Sequence, residues 1–274
     1  MTTTTMNAPP VAAPRPPGLL ATVFILTGRI IGGWRSQKAA ITVTWAFPVF
    51  VTLIFLGLFG GALRMPAGAT YLDFLVPGML VVTMLFGLET TTLASAADAS
   101  KGINDRFRSL PISSAAIVLG RCLADMLNSL IALGVMVLFG LALGWRPDVT
   151  PGAAVLSLGV LLLLRFAFLW VGIGIGYHAR SVESVAYVQI LVWPVALLSS
   201  VFVDPATMPT WLGAVVELNP VSATATTVRD LLGTASWPGQ VVPHGASAAL
   251  SVAWPAALIA LFLPYAARSF RRHT

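Results

Sequence analysis

The sequence predicts an all-α polytopic membrane protein. Six transmembrane helices follow an N-terminal amphipathic interfacial helix, with re-entrant or interfacial helices between the fifth and sixth spans. Three observations predict this. Of the 274 residues, 57% are hydrophobic and only 9% charged, against about 25% charged in soluble domains. Mean hydropathy is +0.87. Six segments reach the ~20-residue length that a bilayer core demands, and they are continuously apolar rather than alternating, which excludes a β-barrel. The same composition excludes both an ordinary water-soluble enzyme and a disordered chain.

Residues 1–17, MTTTTMNAPPVAAPRPP, have almost nothing to bury and read as a disordered cytoplasmic tail. Residues 18–40 read as the interfacial helix. Leu19, Leu20, Val23, Phe24, Thr27, Ile30, Ile31 and Trp34 share a face at helical spacing, with Arg29, Gly32 and Ser36 opposite and only Ile25 off pattern. Such a helix lies in the interface with its cations toward headgroups. Arg29 interrupts the apolar run and no small-x-small site follows, so it is not read as a signal peptide.

Residues 41–274 form the transmembrane domain, with spans at 41–63, 74–96, 124–143, 153–177, 185–203 and 246–267. Pro48, Pro77, Pro194, Pro255 and Pro264 lie in or near them, which lipid-embedded helices tolerate. Two gaps are long. The cytoplasmic stretch 98–114, DASKGINDRFRSLPISS, is charged around Phe107 and Leu110 and reads as a small docking helix. The extracellular stretch 204–243 holds apolar pieces at 211–218 and 221–232, each too short to span, which read as re-entrant or interfacial helices.

Orientation follows from the basic residues. With the N-terminus inside, twelve Lys and Arg fall in cytoplasmic segments and three (Arg64, Arg146, Arg229) in extracellular ones, leaving Arg165 within a span. That bias places both termini in the cytoplasm. The net charge of +6 thus sets orientation and does not point to nucleic acid. Cys122 is the single cysteine, so neither an internal disulfide nor a Cys-rich metal site is expected.

Catalytic chemistry finds no constellation in the sequence. There is no GxxxxGK[ST] phosphate loop and no GxSxG elbow, and His178, His244 and His273 have no partner at ligand or general-base spacing, so no metal or cofactor site is expected. Gly172, Gly174 and Gly176 sit inside an apolar span, where close helix packing accounts for them. The polar residues in or near the membrane are Glu89, Arg121, Asp125, Asn128 and Arg165. Arg121 and Asp125 are four apart and read as a local ion pair. Glu89 and Arg165 lie deeper, where a charge costs about 2.5–3.5 kcal/mol on insertion scales. Their depths coincide and their signs oppose, which predicts a shared site or wet cavity near Phe86. A substrate path and an interhelical brace both fit them.

Two stretches carry a family resemblance. GINDRFRSLPISSAAIVLGRCLADML (102–127) resembles the cytoplasmic signature of type-2 ABC transporter permeases, and SSVFVDPATMPTWLGAVVELNPVSATATTVRDLL (199–232) resembles their second signature. The chain is most similar to the permeases of daunorubicin-resistance-like drug exporters, over residues ~19–270. Asp105-Arg106-Phe107-Arg108 departs from the usual Glu-Arg followed by an apolar pair. The resemblance implies a bacterial plasma-membrane permease subunit that is not itself an enzyme. It would export an amphipathic compound or lipid, pair with itself or a paralogue amid membrane lipids, and bind two copies of a cytoplasmic ATPase that holds ATP and Mg. It further implies that Gly102, Asp105, Arg106, Phe107, Arg108 and Pro111 form the coupling contact with that ATPase. Competing readings are an ion-coupled secondary transporter using Glu89 and Arg165, a permease for lipid or polysaccharide rather than drug, and a membrane-embedded transferase or protease. The last would need a paired-carboxylate, His-rich or Ser/Lys set facing a cavity, and the sequence offers none. For the secondary transporter, no internal repeat is visible.

Overall fold

The computed structural model describes residues 18–62, 65, 69–100, 113–179, 185–234, 236–237 and 242–272. The tail 1–17 and the coupling residues Gly102, Asp105, Arg106, Phe107, Arg108 and Pro111 lie outside that set. Among the described residues there is no strand. The helices are α1 (Leu19–Trp34), α2 (Lys38–Phe59), α3 (Tyr71–Ser100), α4 (Ser114–Ala142), α5 (Pro151–His178), α6 (Ala186–Leu197), α7 (Thr210–Leu218), α8 (Pro220–Leu231) and α9 (His244–Arg272).

Five of them, α2, α3, α4, α5 and α9, are long and apolar enough to cross a membrane. The fifth expected span, 185–203, is the exception. Its helix α6 has 12 residues, about 18 Å at 1.5 Å per residue, against a hydrocarbon core of ~30 Å. Pro194 lies within its last turn, and the chain bends at Ser199. A proline removes a backbone donor and clashes with the preceding turn, so an apolar run that composition alone extends to residue 203 stops early.

Helix α3 is the axis. In its most apolar window 83% of residues are buried, against 17% for α2 and α9. Its closest neighbour is α5, and glycines allow the approach. A Cβ on Gly176 would stand 2.6 Å from Ser95 Cβ and 2.7 Å from the Thr92 carbonyl, and one on Gly172 would stand 3.1 Å from Thr91. Gly174 faces the other way, onto Tyr265 of α9. The close-packing reading of this glycine run therefore holds, with two faces served at once.

Local chemistry sets the helix starts. Ser113 caps α4 by accepting from Ala116 N, and Thr150 caps α5 by accepting from Ala153 N with Pro151 in the first turn. Between them Gly144 takes the left-handed conformation (φ 100°) that closes α4. Asn219 caps α8 through Val221 N, and its amide also donates to the Val195 and Leu198 carbonyls at the end of α6. The Asn-Pro pair of the second signature thus starts one helix and ties down another.

The N-terminal helix forms as expected, but its packing face differs. Thr22, Val23, Leu26 and Thr27 are buried, whereas Leu19, Leu20, Phe24 and Ile25 are exposed. Leu26 and Val23 press on Gly120 of α4, and Thr27 Oγ1 donates to the Gly120 carbonyl (3.1 Å). Periodicity sorts apolar from polar residues. It does not distinguish a face that meets protein from one left exposed, and here the buried stripe is rotated toward Thr22 and Leu26.

Candidate functional site

The polar residues of the bundle are not scattered. At the end of α3 and the start of α4, Arg121 Nη1 donates to Asp98 Oδ2 (2.9 Å) and its Nε to Asp125 Oδ2 (3.2 Å). The same Asp125 oxygen accepts from Thr91 Oγ1 (2.8 Å), and that hydroxyl in turn accepts from Arg165 Nη2 (2.6 Å). Arg165 Nε donates to Ser129 Oγ (2.7 Å). Asp98, Arg121, Asp125, Thr91, Arg165 and Ser129 therefore form one chain of contacts joining α3, α4 and α5. Its two cations and two anions cancel, which is how such charges are tolerated at low dielectric.

The Arg121–Asp125 pair expected from spacing is present, and Asp98 makes it a triad across two helices. The expected meeting of Glu89 and Arg165 does not occur. Glu89 accepts from the amide of Gln189 on α6 instead. The reason is rotational. Arg165 lies against α3 at Gly87, whose missing side chain makes room for it (an added Cβ would be 2.5 Å from Nε), and at Thr91 one turn on. Glu89 is two residues from either, about 200° around the helix. Equal depth is necessary for a pair and does not supply a shared face. Arg165 is 1% exposed, and among the described residues its Nη1 has no hydrogen-bond partner.

Phe86 is buried in an aromatic cluster with Phe47 of α2 (ring centroids 5.2 Å apart) and Trp193 of α6 (5.6 Å). Asn128 accepts from Trp45 Nε1 (2.9 Å), pinning α2 to α4.

A cavity of about 690 Å3 opens between α1, α2, α3 and α4, within the size range of small-ligand sites. Arg29, Asp98, Arg121, Asp125 and Asn128 supply charged and polar lining, and Trp34, Leu93 and Ile117 supply apolar wall. Phe86, Glu89 and Arg165 are not among its lining residues. Thr91 and Ser129 carry no signal in the sequence, since hydroxyl residues are ordinary in spans. The spacing of Arg121, Asp125 and Asn128 along one face of α4 was the legible clue.

The opposite end of the bundle holds a second buried arginine. Arg229 of α8 is 1% exposed and donates to the carbonyls of Phe74, Ser200 and Val201, with its guanidinium carbon 3.5 Å from the Phe74 ring centroid. Trp237 Nε1 donates to the same Ser200 carbonyl (3.1 Å). These bonds fasten the bend after α6 to the start of α3, so an arginine expected in an extracellular loop is a packing element.

Residues 21–232 match the family model described as ABC-2 type transporter. The chain belongs to the ABC-2 transporter family. It is also 34% identical over 227 residues, 82% of this chain and 77% of the relative, to the daunorubicin resistance ABC transporter permease protein DrrB1 of Streptomyces coeruleorubidus. An ABC-2 permease is a multi-pass transporter subunit rather than an enzyme, and family membership implies association with an ABC ATPase and a membrane-embedded dimer. In this permease the matched region covers α1 to α8, so both the ion network and the Arg229 brace fall within the shared domain.

Proposed function

We propose that this permease is the transmembrane subunit of an ATP-driven exporter that carries an amphipathic drug-like compound or lipid outward across the bacterial plasma membrane. The observation that carries the reading is the 34% identity, spread over 82% of the chain, to a daunorubicin resistance permease. The proposed topology has six crossings, with α6 and its flanking segments as the fifth. Both termini are cytoplasmic, in keeping with twelve basic residues on that side against three outside. Under this topology α7 and α8 dip into the outer leaflet.

The loop 98–114 is the proposed docking site for two copies of an ATPase carrying ATP and Mg, one on each permease of a dimer made with itself or a paralogue. Phe107 is the anchor, rimmed by Asp105, Arg106 and Arg108, with Gly102 and Pro111 shaping the turn. ATP hydrolysis on the partner supplies the energy. This chain's own contribution is to hold both roots of the loop together. Asp98 closes α3, Arg121 lies early in α4, and their 2.9 Å contact lets a push on the loop move both helices.

Purification of the permease from native membranes tests this reading. A co-purifying ATPase whose hydrolysis rises with an amphipathic compound supports it. A permease that purifies alone and moves the compound without nucleotide contradicts it.

A further inference from the structure

We infer that the strip between α3 and α6 formed by Glu89, Gln189, Phe86 and Trp193, closed on one side by Phe47 of α2, binds amphipathic organic cations. The inference deepens the proposed function by naming the charge of the cargo, and as cargo recognition it rests on that reading.

Two rungs join these helices. On the first, Glu89 Oε1 accepts from the Gln189 amide. On the second, about one turn away on each helix, the rings of Phe86 and Trp193 meet with centroids 5.6 Å apart. Glu89 follows Phe86 by three positions and Trp193 follows Gln189 by four, so each pair shares a face. Phe47 touches both rings, 5.2 Å from Phe86 and 5.9 Å from Trp193. The aromatic rung is thus fixed from three helices, whereas the polar rung is open: Gln189 is exposed and Glu89 half-buried.

Charge selects the ligand. Between Asp73 and Asp98, Glu89 is the one charged residue of α3. Helix α6 carries none, and α2 carries none after Lys38 at its first position. Arg165 is engaged elsewhere. It reaches Thr91 and Ser129 on another face, in a network whose two aspartates balance it and Arg121. Glu89 therefore has a neutral amide as its partner, and among the described residues its Oε2 makes no hydrogen bond. An acid about 16 Å along the helix from Ser100 is costly against lipid and calls for a cation. A second copy meeting the strip through the same face would bring none, and would set Glu89 against Glu89. The neighbouring rings suit the remainder of the ligand, since aromatic faces attract cations and pack against apolar bodies.

Tetraphenylphosphonium and tetraphenylborate share a shape and differ in charge, so they serve as probe and comparison. Each is titrated by equilibrium dialysis into the detergent-purified full-length permease, with binding to empty micelles subtracted. Tetraphenylphosphonium should bind saturably and roughly tenfold or more tightly than tetraphenylborate. Glu89→Gln should weaken it about tenfold and erase the charge preference, whereas Glu89→Asp should keep that preference. Trp193→Leu should weaken the cation without reversing the preference. Gln189→Lys, at an exposed position, sets an internal ammonium against Glu89 and should displace the probe; it decides the matter if Glu89→Gln fails to fold. Equal binding of the two ions by the parent overturns the inference, as does parent-like cation binding by folded Glu89→Gln or Gln189→Lys. Loss of the dimer mass in Glu89→Gln with cation binding intact also overturns it, and marks the strip as a subunit contact. The assay contains no ATPase. Failure of ATP-driven export would therefore count against the proposed function and leave the binding result standing, while absent binding with export intact would strike this inference alone.

Discussion

Replacing Asp125 by asparagine should uncouple the ion network while preserving its shape. The carboxylate side chain is 15% exposed and that of Arg121 11%, so the pair is largely screened from solvent. Asparagine keeps an acceptor for the Thr91 hydroxyl but leaves two cations, Arg121 and Arg165, facing one anion. Removing one member of a buried pair costs about 3–5 kcal/mol. Arg121 retains its 2.9 Å contact with Asp98, which holds the loss to the lower end, ~3 kcal/mol. At about 2–4 °C per kcal/mol for a chain of this size, the melting midpoint in detergent should fall by roughly 6–12 °C. Arg121→Leu and Asp125→Leu should each destabilise strongly, whereas the double variant should melt well above the sum of the two losses, since removing both partners leaves less uncompensated charge. An unchanged midpoint for Asp125→Asn, or strict additivity in the cycle, would refute the claim that these charges act as one unit.

Gly176→Leu should lower folded yield and stability by about 1–3 kcal/mol or more, because its Cβ would meet Ser95 and the Thr92 carbonyl; Gly159→Ala, with nothing within 4 Å, should melt like the parent. Arg229→Lys should cost ~2 kcal/mol, since an ammonium cannot reproduce the guanidinium fork to Phe74, Ser200 and Val201; the check is a melting curve together with protease sensitivity of the α7–α8 region. Phe107→Ala should weaken ATPase pull-down by ~2 kcal/mol, roughly 30-fold, without loss of membrane insertion, and unchanged capture would remove Phe107 from the docking contact.

Hydropathy made the long helices legible because a bilayer imposes one length on them all. Four expected spans overlap α2, α3, α4 and α5, and the last overlaps α9. The same rule overextended the fifth, where Pro194 and the bend at Ser199 end the helix inside an apolar run. The short pieces between the fifth and sixth spans were legible as helices, α7 and α8, because each is an apolar run too short to cross. Pairing was harder. Arg121 and Asp125 could be joined from spacing on one helix, but Asp98, Thr91 and Ser129 lie on other turns and other helices. Arg165 was matched with the wrong partner, because counting residues along a span gives position along the helix while facing depends on how α5 rotates against α3. That rotation is set by Gly172 and Gly176, whose role as a packing surface was readable but whose direction was not. Arg229 shows the same limit: a cation in an extracellular segment signals orientation, and only the fold reveals that three carbonyls surround it.

Transport in sealed vesicles tests the central claim most directly. The permease is reconstituted with its co-purified ATPase, and accumulation of a fluorescent amphipathic compound is followed with ATP, with a non-hydrolysable analogue, and with an uncoupler present. Accumulation that requires hydrolysable ATP and survives the uncoupler is the predicted result. Accumulation that proceeds without ATP and collapses when the ion gradient is dissipated would contradict it.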